Sequence, residues 1–593
     1  MNDAPSNTSS PVDYLIESWS LPRERSAEVA SLLAAQAEGG TAVCLARNVT
    51  ATPGDWGKAA TLSTGNEIRP LVLDADPEPG ATYLQSWRYF SAERQIAARL
   101  QALAAASPRL GRSPVDSIPL AADLGLNEEQ QAAVQCGLSR RLTVITGGPG
   151  TGKTHTLARL LALMIAAEPA RPWVVKLAAP TGKAADRMRE AINTAVQNLP
   201  ATFDEPIRKR LLECATDAGT LHRMLGYNPA TGRCRSDDAS PLQADVIIVD
   251  ECSMVDTLLW QALLAGLGSE TRLILLGDPN QLESVAAGDV LGSIVRHVRA
   301  SAADDPLRSA WTELQHARRF DPNSALAKLA SLVVAPGHTQ ETLSILRENT
   351  CANPGPAESR RGSIAWLPEP GPTPTWGQLP EPVRAAIELA AREPDPTQAL
   401  VALDRIRILA ANRKGPWGVG GFNRLIEQQL KTAAINGRRP NLPIIINRND
   451  PETGLKNGSV GVMISTGEGE ALQRYAYFPP KDAGGKPQKI AEGRLPSDRS
   501  TAWAMTIHRS QGSEFDQVLV VLPTDEESPL ASRELLYTAI TRTKVTAWLW
   551  GREAVVQAAL ACKAGRPTRL AARLKETQRK PGQPADQRHL PDA

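Results

Sequence analysis

Leu142-Thr143-Val144-Ile145-Thr146-Gly147-Gly148-Pro149-Gly150-Thr151-Gly152-Lys153-Thr154 is the stretch on which the fold turns. Residues 142–146 read as a short buried strand, the glycines that follow match GxxxxGK[ST], and a helical pattern opens at His155. Strand, glycine-rich turn and helix in that order make a phosphate cradle. Gly147, Gly148, Pro149, Gly150, Thr151 and Gly152 let the backbone aim its N–H groups inward. Lys153 supplies positive charge to the β and γ phosphates of ATP, and the Thr154 hydroxyl is placed to ligate Mg²⁺.

Downstream, apolar runs at 174–179, 246–249 and 273–276 each end at a turn and lead into another element, the alternation of a parallel α/β sheet. The run 246–249 ends in Asp250-Glu251. Beside a phosphate cradle, Asp250 is expected in the Mg²⁺ shell and Glu251 as the base for the attacking water, a pairing that favours hydrolysis. The run 273–276 leads into Gly277-Asp278-Pro279-Asn280-Gln281-Leu282, where Gln281 can reach the γ phosphate or the water.

Three further sets distinguish a motor from a generic ATPase. Pro180, Thr181 and Gly182 with Thr220 and His222 form one, Thr506, His508, Ser510 and Gln511 a second, and Tyr537-Thr538-Ala539-Ile540-Thr541-Arg542 a third. Hydroxyls, amides and single cations on loops at strand ends suit phosphate-backbone contacts to single-stranded nucleic acid, which need no base reading. Arg542 can reach a γ phosphate from a second domain as an arginine finger. Taken singly, each set reads as a solvated loop; their number and order carry the functional reading.

The whole chain has 593 residues, 42% hydrophobic content and a net charge of +2, which implies three to five globular domains and confines any nucleic-acid surface to a local patch. Seven cysteines without a CxxC pair oppose a disulfide framework and a zinc ribbon and fit a reducing cytoplasm. Met1 to Ser20 lacks the pattern of a secretory signal, and the longest apolar stretch, 157–167, is interrupted by Arg159 and too short to span about 30 Å of hydrocarbon, so no membrane role is expected.

Residues 1–112 read as a helical unit with one extended element at 69–74 and an amphipathic helix at 91–106, without a catalytic set. Residues 113–350 follow as the first α/β unit. Eight prolines between Pro354 and Pro382 mark 351–383 as a connector. Residues 384–435 look helical, 436–500 form a small β module with strand-like runs at 443–446, 459–465 and 475–478, and α/β pattern returns over 501–576. The last 31 residues hold eight Lys/Arg against three acids, so 577–593 is expected to be a basic tail.

The ordered motifs resemble a superfamily 1 helicase of the 5′ to 3′ class, and most closely the RecD family, the α subunit of the RecBCD exodeoxyribonuclease V complex. Leu126-Asn127-Glu128-Glu129-Gln130, Arg318-Arg319-Phe320, Gly415-Pro416-Trp417-Gly418-Val419, Asn447-Arg448-Asn449-Asp450 and Trp503-Ala504-Met505-Thr506 carry the likeness alongside the motifs above. It implies an α/β fold with two RecA-like P-loop motor domains clamping ATP, the second formed by 384–435 and 501–576. An α-helical N-terminal domain docked onto the γ subunit and a small inserted β-barrel are implied as well. Gln130 becomes an adenine contact, Gln281 the γ-phosphate sensor, Arg319 and Arg542 the cations that close on ATP from the second domain, and 228–238 a hairpin that meets the duplex junction. Arg509 and Lys544 depart from the residues usual in the family, without removing a catalytic group.

The function implied is an ATP-dependent helicase subunit that unwinds double-stranded DNA ends with RecB and RecC, for break repair by recombination and for degrading foreign linear DNA. A stand-alone 5′ to 3′ helicase and a non-catalytic scaffold with a decayed motor are the alternatives, the second opposed by intact Lys153, Thr154, Asp250, Glu251 and Arg542. On this reading, deleting 1–112 should leave an ATPase that still responds to single-stranded DNA but no longer assembles with its partners, since every motor residue lies after position 125.

Overall fold

The computed structural model describes residues 11–18, 21–45, 56, 60–62, 69–75, 81–107, 124–317, 319–350, 361–368, 370–432, 439–466, 473–480, 485–562 and 566–577. Arg318, the residues of the basic tail beyond 577 and the first part of the proline-rich connector lie outside them. The described residues form four sheets.

The first sheet comprises β1 (Ala42–Cys44), β2 (Ala60–Leu62), β3 (Leu71–Ala75) and β4 (Thr82–Ser86) in the order β1-β4-β3-β2, with only β2 and β3 parallel. The N-terminal unit is therefore not the helical domain expected from sequence. Its strands are three to five residues long and pair across gaps that local periodicity cannot see.

The second sheet is wholly parallel. Strands β5 (Leu142–Gly147), β6 (Val175–Ala179), β7 (Gly219–Thr220), β8 (Val246–Val249), β9 (Arg272–Gly277) and β10 (Trp311–Leu314) lie in the order β10-β5-β9-β8-β6-β7. Alternate residues of β8 serve opposite faces: Ile247 and Val249 enter one core, Val246 and Ile248 the other. The inner strands β5, β8 and β9, covered on both sides, bury every residue, which is why they read as largely apolar runs, whereas the outer β7 and β10 do not.

The third sheet begins with β11 (Ser363–Leu367) and β12 (Ile406–Ala410). The chain then leaves for β13 (Leu442–Ile446), β14 (Val460–Thr466), β15 (Gln473–Phe478), β16 (Gln488–Ala491) and β17 (Arg499–Thr501), an antiparallel sheet in the order β16-β15-β14-β13-β17. It returns to complete the third sheet with β18 (Ala504–Thr506), β19 (Phe515–Val521) and β20 (Thr543–Trp550), all parallel in the order β11-β20-β19-β12-β18. Both motors are thus parallel sheets layered between helices. In the inserted sheet, β16 and β17 are the two edges, and no ladder joins them among the described residues.

Three boundaries shift. The helix Ala325–Val334, assigned by sequence to the first motor, packs Leu326, Leu329 and Val333 into the core of the second with Phe320. The proline-rich stretch is more than a connector, because β11 occupies its proline-free interval and pairs with β20, and the helix Glu381–Arg392 takes Pro382 in its first turn, where no N–H is needed. The central strand β12 was hidden in a segment read as helical. It directly follows the helix Pro396–Arg405 with no Gly, Pro or Asn between them, so no turn signal separates the two.

The C-terminal segment returns to the first motor. Its helix Leu570–Glu576 places Leu570 and Leu574 in the same core as Ile96, Leu100 and Leu103 of the helix Trp87–Ala105 and Trp260 and Leu263 of the first motor. Thr41 and Ala42 N–H both donate to Pro567 O, at 2.8 and 3.1 Å. Arg569 and Arg573 reach Asp74 Oδ2 at 2.7 and 2.6 Å, with all three side chains buried. Glu93 accepts from the Arg569 N–H and from Thr41 and Gln85, while burial pushes its carboxyl up.

This arrangement overturns the expected outcome of truncation. Deleting 1–112 removes the helix Trp87–Ala105 from the first motor's core, which exposes Trp260, Leu263, Leu570 and Leu574 to water, and it takes away Asp74, the partner shared by Arg569 and Arg573. The truncated chain is expected to aggregate or to melt far below the intact one. Size-exclusion chromatography and thermal melting check this; a monodisperse, DNA-responsive truncated ATPase would sink it.

Candidate functional site

Parallel strands deliver their C-terminal ends to one edge of a sheet, where ligands bind in open α/β folds. From the first motor, β5 ends in the phosphate cradle, β8 in Asp250-Glu251 and β9 in the turn that carries Asp278 and Gln281. The second motor contributes Gly512, Glu514 and Arg542 across a cleft of about 450 Å³ whose wall also includes Lys153, Thr154, Glu251, Gln281 and Arg319.

The cradle is built by backbone sterics. Gly150 and Gly152 have φ of +80° and +89°, a region that L side chains avoid, and a Cβ on Gly152 would lie 2.5 Å from Gln130 Nε2. Gln130 caps its own helix, accepting from Asn127 N–H at 3.2 Å, and donates to Thr151 O at 3.1 Å. Expected to touch adenine, it is buried beneath the loop and braces it. Lys153 Nζ donates to Gly147 O at 2.6 Å and Gly148 O at 3.1 Å.

Asp250 and Glu251 sit side by side, with Asp250 Oδ1 accepting the Glu251 N–H at 2.8 Å. Desolvation and the neighbouring Glu251 push the Asp250 carboxyl up to about 6 against the pull of Lys153. Glu251 is the only non-glycine among the described residues at positive φ, +53°, a strained conformation of the kind that gathers at functional sites. Gln281 Nε2 donates to Asp278 Oδ2 at 3.1 Å, leaving the buried Oε1 without a partner.

The two arginines are held differently. Arg319 pairs with Glu514 and donates to Thr541 O at 3.1 Å. Arg542 is buried at the end of the helix Arg533–Ile540, donating to Thr538 O at 3.1 Å and Ser513 O at 3.4 Å. Burial alone would raise the Glu514 carboxyl, but Arg319, Arg542 and Arg187 outweigh it and hold it below the usual range. Arg187 was not singled out in the sequence. Yet Ala184, Arg187, Met188, Ala191 and Thr194 recur at helical spacing from Gly182 and share the cleft wall, a signal available once the helix start is known.

The expected DNA contacts divide in two. Thr181 and Thr220 cap helices, accepting from Ala184 and Arg223 N–H at 3.2 Å each, Pro180 and Gly182 are half-buried beside Thr181, and His222 is exposed against Tyr227. His508 is half-buried, with burial, Arg413 and Arg566 holding its imidazole below the usual value. Thr506, Ser510 and Gln511, by contrast, are buried and committed within the protein: Thr506 Oγ1 accepts from Arg509 N–H, Ser510 Oγ donates to Ile507 O, and Gln511 Nε2 donates to Leu282 O at 2.9 Å. Thr506 and Ser510 thus fix their own turn and Gln511 ties it to the first motor, so none of the three presents a DNA surface. The segment 228–238 begins with an exposed turn closed by an Asn228–Arg233 bridge and tied down by an Arg99–Asp238 ion pair.

A second groove of about 470 Å³ runs between the helix Gly182–Gln197 and the inserted sheet. Lys456 crosses it to Asp186 at 2.8 Å. Burial, Arg187 and Arg407 push the Lys183 ammonium beside it down to about 7.

A family model described as an AAA domain matches residues 130–287, and one described as a UvrD-like helicase C-terminal domain matches residues 501–550. The RecBCD enzyme subunit RecD of Mycolicibacterium smegmatis is 38% identical over 82% of this chain and 81% of that protein. Its namesake from Mycobacterium tuberculosis is 37% identical over 88% and 85%. The ATP-dependent RecD2 DNA helicase of Deinococcus radiodurans is 28% identical over 76% of this chain and only 53% of its own length.

Proposed function

Because the chain belongs to the RecD family of RecBCD subunits, we propose that it is the ATP-driven DNA helicase subunit of a RecBCD-type helicase and nuclease, acting on double-stranded DNA ends in the cytoplasm. The observation that carries this reading is the single cleft that joins a phosphate cradle and paired acids from one parallel sheet to two arginines that engage the other. A cleft divided between two motors turns nucleotide turnover into relative motion, which a helicase needs and a simple phosphatase does not.

The residues fit Mg²⁺ with ATP. Thr154 lines the cleft with its hydroxyl unbonded, and Asp250 is a desolvated carboxylate whose charge a cation would stabilise. These two would hold the ion, which when bound neutralises charge on the phosphates. Lys153 would exchange two loop carbonyls for phosphate oxygens, Glu251 would take the proton of the attacking water, and Arg319 and Arg542 would meet the charge that develops on the γ phosphate.

The strand would run over Thr181, Gly182, Thr220, His222 and His508 with 5′ to 3′ polarity. The exposed 228–238 segment would stand at the junction and the inserted sheet would serve as the family's small β-barrel. Partners are RecB and RecC; family membership supports them, and the N-terminal sheet is read as the face that docks. Unwinding of substrates bearing only a 5′ or only a 3′ tail, by the chain alone and with RecB and RecC, tests the whole proposal. Unwinding from the 3′ tail alone would overturn the polarity, and unwinding at full rate without partners would favour a stand-alone helicase.

A further inference from the structure

Asp278 lies at the centre of a hydrogen-bond chain that crosses from one motor to the other. Its Oδ2 accepts from Gln281 Nε2 and from the Tyr537 hydroxyl, both at 3.1 Å, and its Oδ1 accepts the Asn280 N–H at 3.0 Å. A carboxylate only accepts, so the amide nitrogen of Gln281 must face it, and Oε1 becomes the group left over in a residue that lines the cleft. An amide oxygen cannot bond the oxygens of a phosphate, but it can accept a hydrogen from water.

Asp278 and Tyr537 are 1% and 6% exposed, so no bulk water competes for the bond. Burial and the adjacent Asp278 keep the Tyr537 phenol protonated, hence a donor. The same short segment is held twice more by the second motor, through Leu282 N–H to Thr538 Oγ1 and Gln511 Nε2 to Leu282 O, each 2.9 Å. The phenol also rests on the phosphate cradle: a Cβ at Gly148 would come within 2.9 Å of its oxygen.

We propose that Tyr537 is a positioning residue for ATP hydrolysis, holding Asp278 from the second motor so that Gln281 presents its amide oxygen to the attacking water only when the motors are closed. The inference rests on the ATPase reading of the cleft. Tyr537→Phe removes one oxygen and keeps the ring. In the full chain with single-stranded DNA, kcat is expected to fall about tenfold, the lower end of what a hydrogen bond to a charged group is worth, with KM for ATP within about twofold.

In a Gln281→Ala background the same change should cost nothing further, because Tyr537 acts through that amide. Multiplying losses in the double variant, or wild-type kcat in Tyr537→Phe, would overturn the proposal. If Tyr537→Phe melts early, Asp278→Ala removes the shared acceptor from the other side and must show the same kcat loss and the same non-additivity. A wild-type chain without DNA-stimulated turnover would overturn the ATPase reading itself, a result distinct from either.

Discussion

Arg542→Ala is expected to lower DNA-stimulated ATP hydrolysis about 10³-fold or more while leaving nucleotide binding nearly intact, the range spanned by arginines that complete a phosphoryl-transfer site from outside. The structure explains why binding should survive. The guanidinium is held by its own motor, through Thr538 O and Ser513 O, and belongs to the half of the cleft opposite the cradle. Its value arises when the motors close and charge gathers on the γ phosphate. Removing it leaves Arg319 and Arg187 to balance Glu514, so the fold should hold. Single-turnover hydrolysis and binding of a fluorescent nucleotide, measured side by side, separate the two effects. Weakened binding with unchanged turnover would mark Arg542 as a ground-state contact.

Lys153→Ala should abolish measurable turnover by another route. The ammonium bonds two cradle carbonyls at 2.6 and 3.1 Å, so without it the loop loses both its internal clamp and the charge offered to the β and γ phosphates. A loss of about 3 kcal/mol or more in transition-state stabilisation, over a hundredfold in rate, is expected. Because Lys153 also offsets the Asp250–Glu251 repulsion, the variant should raise the Asp250 carboxyl further. Steady-state ATPase assays on a variant with wild-type melting behaviour check this, and near-normal turnover would remove the phosphate-cradle assignment.

The cradle, the Asp250-Glu251 pair and the Gln281 turn were legible because each is a contiguous strand and turn. The backbone geometry that binds phosphate is specified within about eight residues, as in 147–154. Strands β5, β8 and β9 were legible for a related reason: burial on both faces demands unbroken apolar runs. Family likeness then placed Arg319 and Arg542 beside them. It could not tell that Gln130 is spent under the loop, or that Thr506, Ser510 and Gln511 are buried.

What the chain's own residue order determined, then, is the local chemistry: where a phosphate can sit, which acids follow which strands, and that a parallel sheet must form around them. What only the tertiary structure decided is which polar groups remain free. Tyr537 meets Asp278 across 259 positions, Gln511 meets Leu282 across 229, and Arg569 meets Asp74 across 495. The helix Trp87–Ala105 likewise joins the first motor, and β11 the second, by packing and pairing that their own segments do not encode. A polar side chain carries no mark of its distant partner. Its commitment is settled only when burial removes water and leaves one acceptor or donor within reach.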